Sequence, residues 1–246
     1  MNDLDIIIPV YNEGENIKEV LIAIKNNVKT PLRVLICYDH DNDTTLPAVD
    51  SIIKELPYEV ALVKNEGAGA HKAIITGFKS GNSSAALVFP ADDTENTRII
   101  DKMLEKFKEG NDIVAASRFM KGGCMQGCPW LKSFLVRSAS FTLYWLASIP
   151  IKDASNGFRL FSRQLLDTVE IESNRGFTYS LELLVKCHRL RWNIAEVPAS
   201  WYERNKGKSN FRLFKWLPEY LRWYFYGFMT TYLKKSPQTV KLKQRI

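Results

Sequence analysis

Apolar residues in the first half of the chain follow two alternating patterns. Short, largely apolar stretches cover Ile6-Ile7-Ile8-Pro9-Val10, Leu32 to Cys37, Glu59 to Val63, Ala85 to Phe89 and Asp112 to Ala116. Such runs are expected of strands buried on both faces. Between them apolar residues recur at helical spacing, most clearly at Ile17, Val20, Leu21, Ile24 and Val28 within 15–28. Further helices are predicted over 48–56, after Gly67-Ala-Gly-Ala up to about Phe78, and over 96–108. Strands and helices alternating in this way predict an α/β fold with a doubly wound, mostly parallel sheet. In such sheets ligands bind at the carboxyl ends of the strands.

The second half is less regular. A loop over 121–129 carries glycines and two cysteines, and a long helix is predicted over 130–147. Ser155-Asn156-Gly157 reads as a turn before an apolar run over 158–161. A helix over 179–190 and a strand over 193–200 follow. Residues 203–210 form a basic, glycine-containing loop, and 211–233 read as a helix broken at Pro218. The pattern divides the chain into a main domain, 1–210, and a C-terminal helical segment, 211–246.

Composition narrows the class. With 46% apolar and 12% aromatic residues in 246, the chain is neither disordered nor fibrous. Its four cysteines are too few and too scattered for a disulfide scaffold. Only Cys124 and Cys128 lie close together, with no second pair downstream to complete a zinc site. The formal charge of +7 is unevenly spread. From Tyr202 onward eleven Lys/Arg face two acids, Glu203 and Glu219, a net of +9, whereas the first 201 residues carry −2. Twelve of the 29 aromatic residues lie in 201–232. Aromatics interleaved with cations suit the headgroup region of an anionic membrane. The opposing reading is an aromatic helix packed on the domain's own core. Nucleic acid is not expected as a partner, because no recognised module accompanies the charge. No run approaches the roughly 20 apolar residues a bilayer span requires, and the opening Met-Asn-Asp-Leu-Asp does not read as a signal peptide.

Candidate chemistry sits at the strand ends. Asp39 follows the second strand, and Asp92 and Asp93 follow the fourth. Carboxylates gathered on one edge repel one another without a cation. Oxygen ligands beside a diphosphate select Mg²⁺ or Mn²⁺. Asp also caps helices and forms turns; that reading weighs evenly for Asp43 and Asp93, and less for Asp39 and Asp92. Gly67-Ala-Gly69 has the look of a dinucleotide fingerprint. It follows the third strand instead of the first, however, and its final spacing is one residue too long.

These residues resemble, in order, the motifs of glycosyltransferase family 2, whose fold is GT-A. Pro9-Val-Tyr11-Asn-Glu13 resembles the family's PxYNE opening, and Asp39-His-Asp-Asn-Asp43-Thr-Thr45 its DDGSxDxT turn. Asn65-Glu-Gly67-Ala-Gly69 is similar to the Gly-rich segment before the third helix, and Ala115-Ala-Ser117-Arg118 to the GSR segment. Asp153 to Arg159 resembles DxxSGFR, Gly176 to Glu182 resembles GYxFxxE, and Glu196-Val-Pro198 with Arg204, Gly207, Lys208 and Ser209 resembles EVP…RxxGxSK. The last group is most like the dolichyl-phosphate mannose synthase branch and its polyprenyl-phosphate relatives. At the fourth strand the DxD position reads Pro90-Ala91-Asp92, with Asp93 available as a substitute.

The resemblance implies an enzyme that moves a sugar, with inversion, from a nucleotide diphosphate sugar to a polyprenyl phosphate. It implies a Mg²⁺ or Mn²⁺ cofactor held by Asp92 and Asp93, and a donor site built from Pro9, Tyr11, Glu13, Asp39, Gly67 and Asp92. Arg118, Lys132, Arg137, Arg204, Lys208 and Ser209 would hold the acceptor phosphate, with Asp92 and Arg118 the residues closest to the chemistry. The C-terminal segment would bring the protein, as a peripheral one, to the cytoplasmic face of a membrane. Two readings stay open beside it: a family 2 transferase acting on a saccharide hydroxyl, and an inactive protein that binds sugar nucleotides.

Overall fold

The computed structural model describes residues 3–202 and 213–244, with backbone alone for 213–215. Arg204, Lys208 and Ser209 lie outside the described residues. Seven strands form the central sheet: β1 (Leu4–Pro9), β2 (Leu32–Tyr38), β3 (Glu59–Lys64), β4 (Ala85–Val88), β5 (Ile113–Ser117), β7 (Arg159–Ser162) and β8 (Ile194–Pro198). Their order is β3-β2-β1-β4-β7-β5-β8, and every neighbouring pair is parallel except those of β7, which runs antiparallel between β4 and β5. A second, two-stranded sheet pairs β6 (Cys124–Gln126) with β9 (Ser200–Tyr202) in parallel.

The alternation of side chains along β1 divides the core. Leu4, Ile6 and Ile8 join one cluster with α1 (Ile17–Asn27), α2 (Thr45–Asp50) and α4 (Ile100–Lys108). Ile7 faces the opposite layer, with α3 (Ala70–Ser80), α6 (Arg163–Thr168) and α7 (Thr178–Leu190). Helices on both faces leave the carboxyl ends of the strands as the open edge. α3 lies close on the sheet because Gly77 has no side chain: a Cβ there would sit 2.5 Å from Ile7 and 2.9 Å from the Cys37 sulfur.

A third cluster joins α5 (Trp130–Trp145), α7 and α8 (Leu213–Tyr232). Trp223 of α8 is fully buried. The Lys186 ammonium lies 5.0 Å from its ring centre and the Arg222 guanidinium 4.6 Å. Arg189 lies over the Tyr226 ring and donates to the Tyr226 carbonyl at 2.8 Å. Beyond α8, Lys243 N–H donates to the Thr168 carbonyl at 2.9 Å, so the chain end returns to the main sheet's helical layer.

Two sequence expectations are corrected. The helix over 211–233 does not break at Pro218, which lies inside a continuous α8. Pro218 falls near the N-terminal end, so its missing N–H removes only a bond to the first turn. The single strand expected over 193–200 is instead β8 and β9 in different sheets, with Ala199 between them.

Candidate functional site

Five loops meet at the carboxyl edge of the sheet, and polar side chains tie them in pairs. Asp43, buried after β2, binds the loop after β1. Both its oxygens accept from the Asn12 N–H at 3.1 Å, and one accepts from the Thr45 N–H at 2.8 Å. Thr45 Oγ1 accepts from the Glu13 N–H at 3.0 Å. The clamp holds Asn12 at φ 56°, left-handed backbone that Asn tolerates better than most residues. It leaves Tyr11 exposed, with its ring edge-on to His40 at 5.4 Å. Pro9 closes β1, and the Glu13 carboxylate accepts from Asn16 Nδ2 at 2.7 Å.

Asp39 and Gly67, both expected in the donor site, are linked through Asn65. The Asp39 carboxylate accepts from Asn65 Nδ2 at 2.6 Å and from the Gly69 N–H at 2.8 Å. Asn65 Oδ1 in turn accepts from the Gly67 N–H at 3.0 Å. Gly69 has φ 84°, a conformation a side chain would strain, and its turn delivers the chain into α3. Asp39 therefore shapes the glycine loop, whatever else it contacts.

After β4 the two acids differ. Asp93 accepts from the Asn96 N–H at 2.9 Å and from Asn96 Nδ2 at 2.6 Å. The same Asn96 side chain pairs with the Ser200 backbone, donating at 2.6 Å and accepting at 2.9 Å, which fixes β9 beside this loop. Burial raises the Asp93 pKa despite these hydrogen bonds. Asp93 thus shapes this turn through both its oxygens, whatever else it contacts. Asp92 is half-buried and next to it. Among the described residues, no three His, Cys, Asp or Glu side chains gather as a metal cluster. Adjacent carboxylates at Asp92 and Asp93 suit an ion that takes its other ligands from diphosphate oxygens and water, as Mg²⁺ commonly does.

Arg118, at the end of β5, forks onto the fully buried Asp153. Nε and Nη2 donate to its two oxygens at 2.7 and 2.9 Å, the Arg118 N–H adds a third bond at 3.1 Å, and Nη2 also reaches Ser155 Oγ at 2.7 Å. Burial pushes the Asp153 carboxyl up, but Arg118 outweighs it and holds the pKa below the usual range. The Arg118 and Arg137 guanidiniums both lie over the Phe119 ring, at 5.1 and 4.7 Å. Arg137, on α5, is exposed and makes one long contact to Ser133 Oγ at 3.3 Å. The Lys132 ammonium lies 5.4 Å from the centre of the Trp201 ring of β9. Three of the predicted acceptor-site cations thus surround the loop that joins β5 to α5.

Sequence reasoning quoted Asp153 and Arg159 within a motif and gave them no role. Arg159 is fully buried, and its Nη atoms donate to the carbonyls of Ser180, Ala154 and Asp153. Burial lowers its pKa to about 10. An Arg within an otherwise apolar run, six residues after Asp153, was the available signal of a buried scaffold.

A mostly parallel sheet with one antiparallel insertion, and loops converging on its carboxyl edge, is the architecture of GT-A glycosyltransferases. The chain superposes on glucosyl-3-phosphoglycerate synthase of Mycobacterium tuberculosis, crystallised with Mn²⁺, UDP and glucosyl-3-phosphoglycerate. The TM-score is 0.66 at 13% identity, covering 93% of this chain and 79% of that one. A structure of the same enzyme with Mn²⁺, UDP-glucose and phosphoglyceric acid gives 0.66 at 16% identity, with the same coverage. At such identities the likeness is one of fold. The sequence profile of Glycosyl transferase family 2 matches residues 5–170, and the chain belongs to that family. Among curated relatives, a dolichol-phosphate mannosyltransferase of Pyrococcus furiosus is 29% identical over 224 residues, 89% of this chain and 62% of that protein. A polyprenol monophosphomannose synthase of Mycolicibacterium smegmatis is 24% identical over 210 residues, 83% of this chain and 79% of that protein. The chain thus spans less than two thirds of the length of the Pyrococcus relative.

Proposed function

We propose that the protein transfers a sugar, with inversion, from a nucleotide diphosphate sugar to a polyprenyl phosphate at the cytoplasmic face of a membrane. The observation that carries this reading is the similarity, over most of the chain, to two relatives named for that acceptor class. The cations around Phe119 and Trp201 support it, because they supply charge where an anionic acceptor would enter. A phosphate monoester is already ionised near neutral pH, so no general base has to be found for it. That suits a site whose conspicuous side chains are cations and whose buried acids are engaged in scaffolding.

Each residue has a defined part. The loop carrying Tyr11 and the loop carrying Gly67, shaped by Asp43 and Asp39, bind the donor nucleotide. Asp92 would hold a Mg²⁺ or Mn²⁺ ion, which supplies charge neutralisation for the leaving diphosphate. Arg137 and Lys132 orient the acceptor phosphate. Arg118, with its fork on Asp153, positions the loop that carries Phe119. Arg204, Lys208 and Ser209 complete the phosphate-binding set in this reading.

The test is transfer of radiolabelled sugar from UDP, GDP, CDP and dTDP donors to a polyprenyl phosphate in detergent, with Mg²⁺ or Mn²⁺. The expected product is an organic-soluble sugar phosphate from one donor class. Label appearing only on a water-soluble saccharide would overturn the acceptor. Absence of both transfer and donor hydrolysis would favour a protein that only binds sugar nucleotides.

A further inference from the structure

Helix α5 has an unusual outward face. Trp130, Phe134, Phe141 and Trp145 are 79%, 61%, 61% and 64% exposed. At 100° per residue these four fall within about 60° of the helix circumference, a single apolar ridge along its length. The opposite face packs inward through Ser140 and Leu143. Helix α8 repeats the arrangement: Leu217, Leu221, Phe225 and Tyr232 are exposed along one stripe, while Trp223 is buried on the other side. A hydrogen bond of 2.8 Å between Thr142 Oγ1 and Tyr224 Oη joins the two helices side by side. The two stripes therefore flank one seam.

The charges around the seam have one sign. From Lys121 to Lys152 the sequence contains no Asp or Glu, and none again from Tyr220 to its end. Arg137 borders the α5 ridge, and Lys234 and Lys235 are exposed just beyond α8. A second copy of the chain docked ridge to ridge would oppose like charges. An anionic bilayer neutralises them, and Trp and Tyr favour its headgroup level. Among the described residues no helix is long and apolar enough to cross a membrane, so the ridge would lie in the interface and not traverse it.

We infer that α5 and α8 together form an anionic-membrane docking face, with the α5 aromatic ridge as its inserted edge. This rests on the proposed lipid acceptor and adds to it where the lipid surface lies. Lys132 and Arg137, which flank the acceptor loop, stand on the inserted helix itself. Docking would thus bring the acceptor site to headgroup height without any spanning segment.

The test uses the full chain with vesicles of phosphatidylcholine and phosphatidylglycerol, read by cosedimentation and by quenching of Trp fluorescence with brominated lipid. A variant with Trp130→Ser, Phe134→Ser, Phe141→Ser and Trp145→Ser should partition at least roughly tenfold less. Because the four side chains are exposed, its circular dichroism and melting temperature should match the wild type. Transfer to a water-soluble short-chain prenyl phosphate should persist in the variant. A single Phe134→Ser change, expected to weaken partition partially, covers the case in which the quadruple variant misfolds. Unchanged partition in folded variants would overturn the inference. So would a wild-type dimer by sedimentation that the variant dissociates, since the ridge would then be a self-interface. If the wild type binds vesicles but transfers to no prenyl phosphate, the acceptor reading fails and the docking face stands.

Discussion

Asp92 and Asp93 are neighbours whose contributions can be separated by substitution. Asp93 holds Asn96 and, through it, the backbone of Ser200. Asp92→Asn keeps the shape and removes the charge of the proposed ion ligand, so turnover should fall at least tenfold, about 1.4 kcal/mol. Initial rates at limiting Mn²⁺ check this, with Asp92→Asn at wild-type activity as the contrary result. The two guanidiniums on Phe119 separate in the same way. Arg137 is exposed, so Arg137→Gln should raise the acceptor KM several-fold and leave donor affinity by calorimetry and the melting temperature unchanged. Arg118→Gln would strand the buried Asp153 carboxylate, and stability should fall by about 3–5 kcal/mol in urea titrations. The cations of the proposed acceptor set could be named from the sequence alone. That Arg118 spends its fork on Asp153 could not be read there, because a sequence separation of 35 conceals the contact.

At the scale of elements, the first five strands and the helices between them were legible. Buried parallel strands are apolar throughout, and the covering helices carry a clear stripe. β6 and the antiparallel placement of β7 were not. β6 has three half-exposed or exposed residues, and strand direction depends on where the chain returns, which local pattern does not encode. The outward ridge of α5 was read only as helix, since apolar residues on both faces blur its stripe. Helix α8 carries both readings offered for it: its inner face packs on α7 while its outer face stays apolar. Trp223→Ala should therefore cost about 3–5 kcal/mol, measured by chemical unfolding, because it empties a buried site that Lys186 also faces. A chain ending near residue 210 should lose cooperative unfolding for the same reason. His71 of α3 packs edge-on against Tyr179 of α7 and is buried, which lowers its pKa below 6.5. As pH falls through 6.5 the unfolded chain takes up this proton before the folded one. Stability should be full above that pH and decline below it. His188 shares the direction through burial, so His71→Gln should flatten part of the slope in urea midpoints between pH 7 and 5.

For the whole molecule, the division of charge matters more than its total. A nearly neutral first 201 residues and a +9 remainder make the chain electrostatically lopsided. Binding to anionic vesicles should weaken steeply as salt rises from 0.05 to 0.5 M, since exposed charges are screened beyond about 10 Å at 0.1 M. Cosedimentation across that range checks it, and salt-independent pelleting would assign the binding to the apolar ridge alone.

The position of β7 between β4 and β5 also sets a timetable. Strands β3, β2, β1 and β4 form a continuous half-sheet from the first 88 residues. β5 follows soon afterwards in the chain, yet its ladder neighbours are β7 and β8, which end at Ser162 and Pro198. At the usual pace of synthesis, β5 waits on the order of ten seconds for both partners to leave the ribosome. Until β7 arrives Ile113-Val-Ala-Ala-Ser117 has no ladder on either side, and until β8 follows it keeps one open edge, a short apolar strand of the kind that pairs with other chains. A nascent-chain chaperone that binds apolar segments would find its target there, and a stall placed between Ser162 and Pro198 should leave the first half folded and the β8 edge of β5 still open to it.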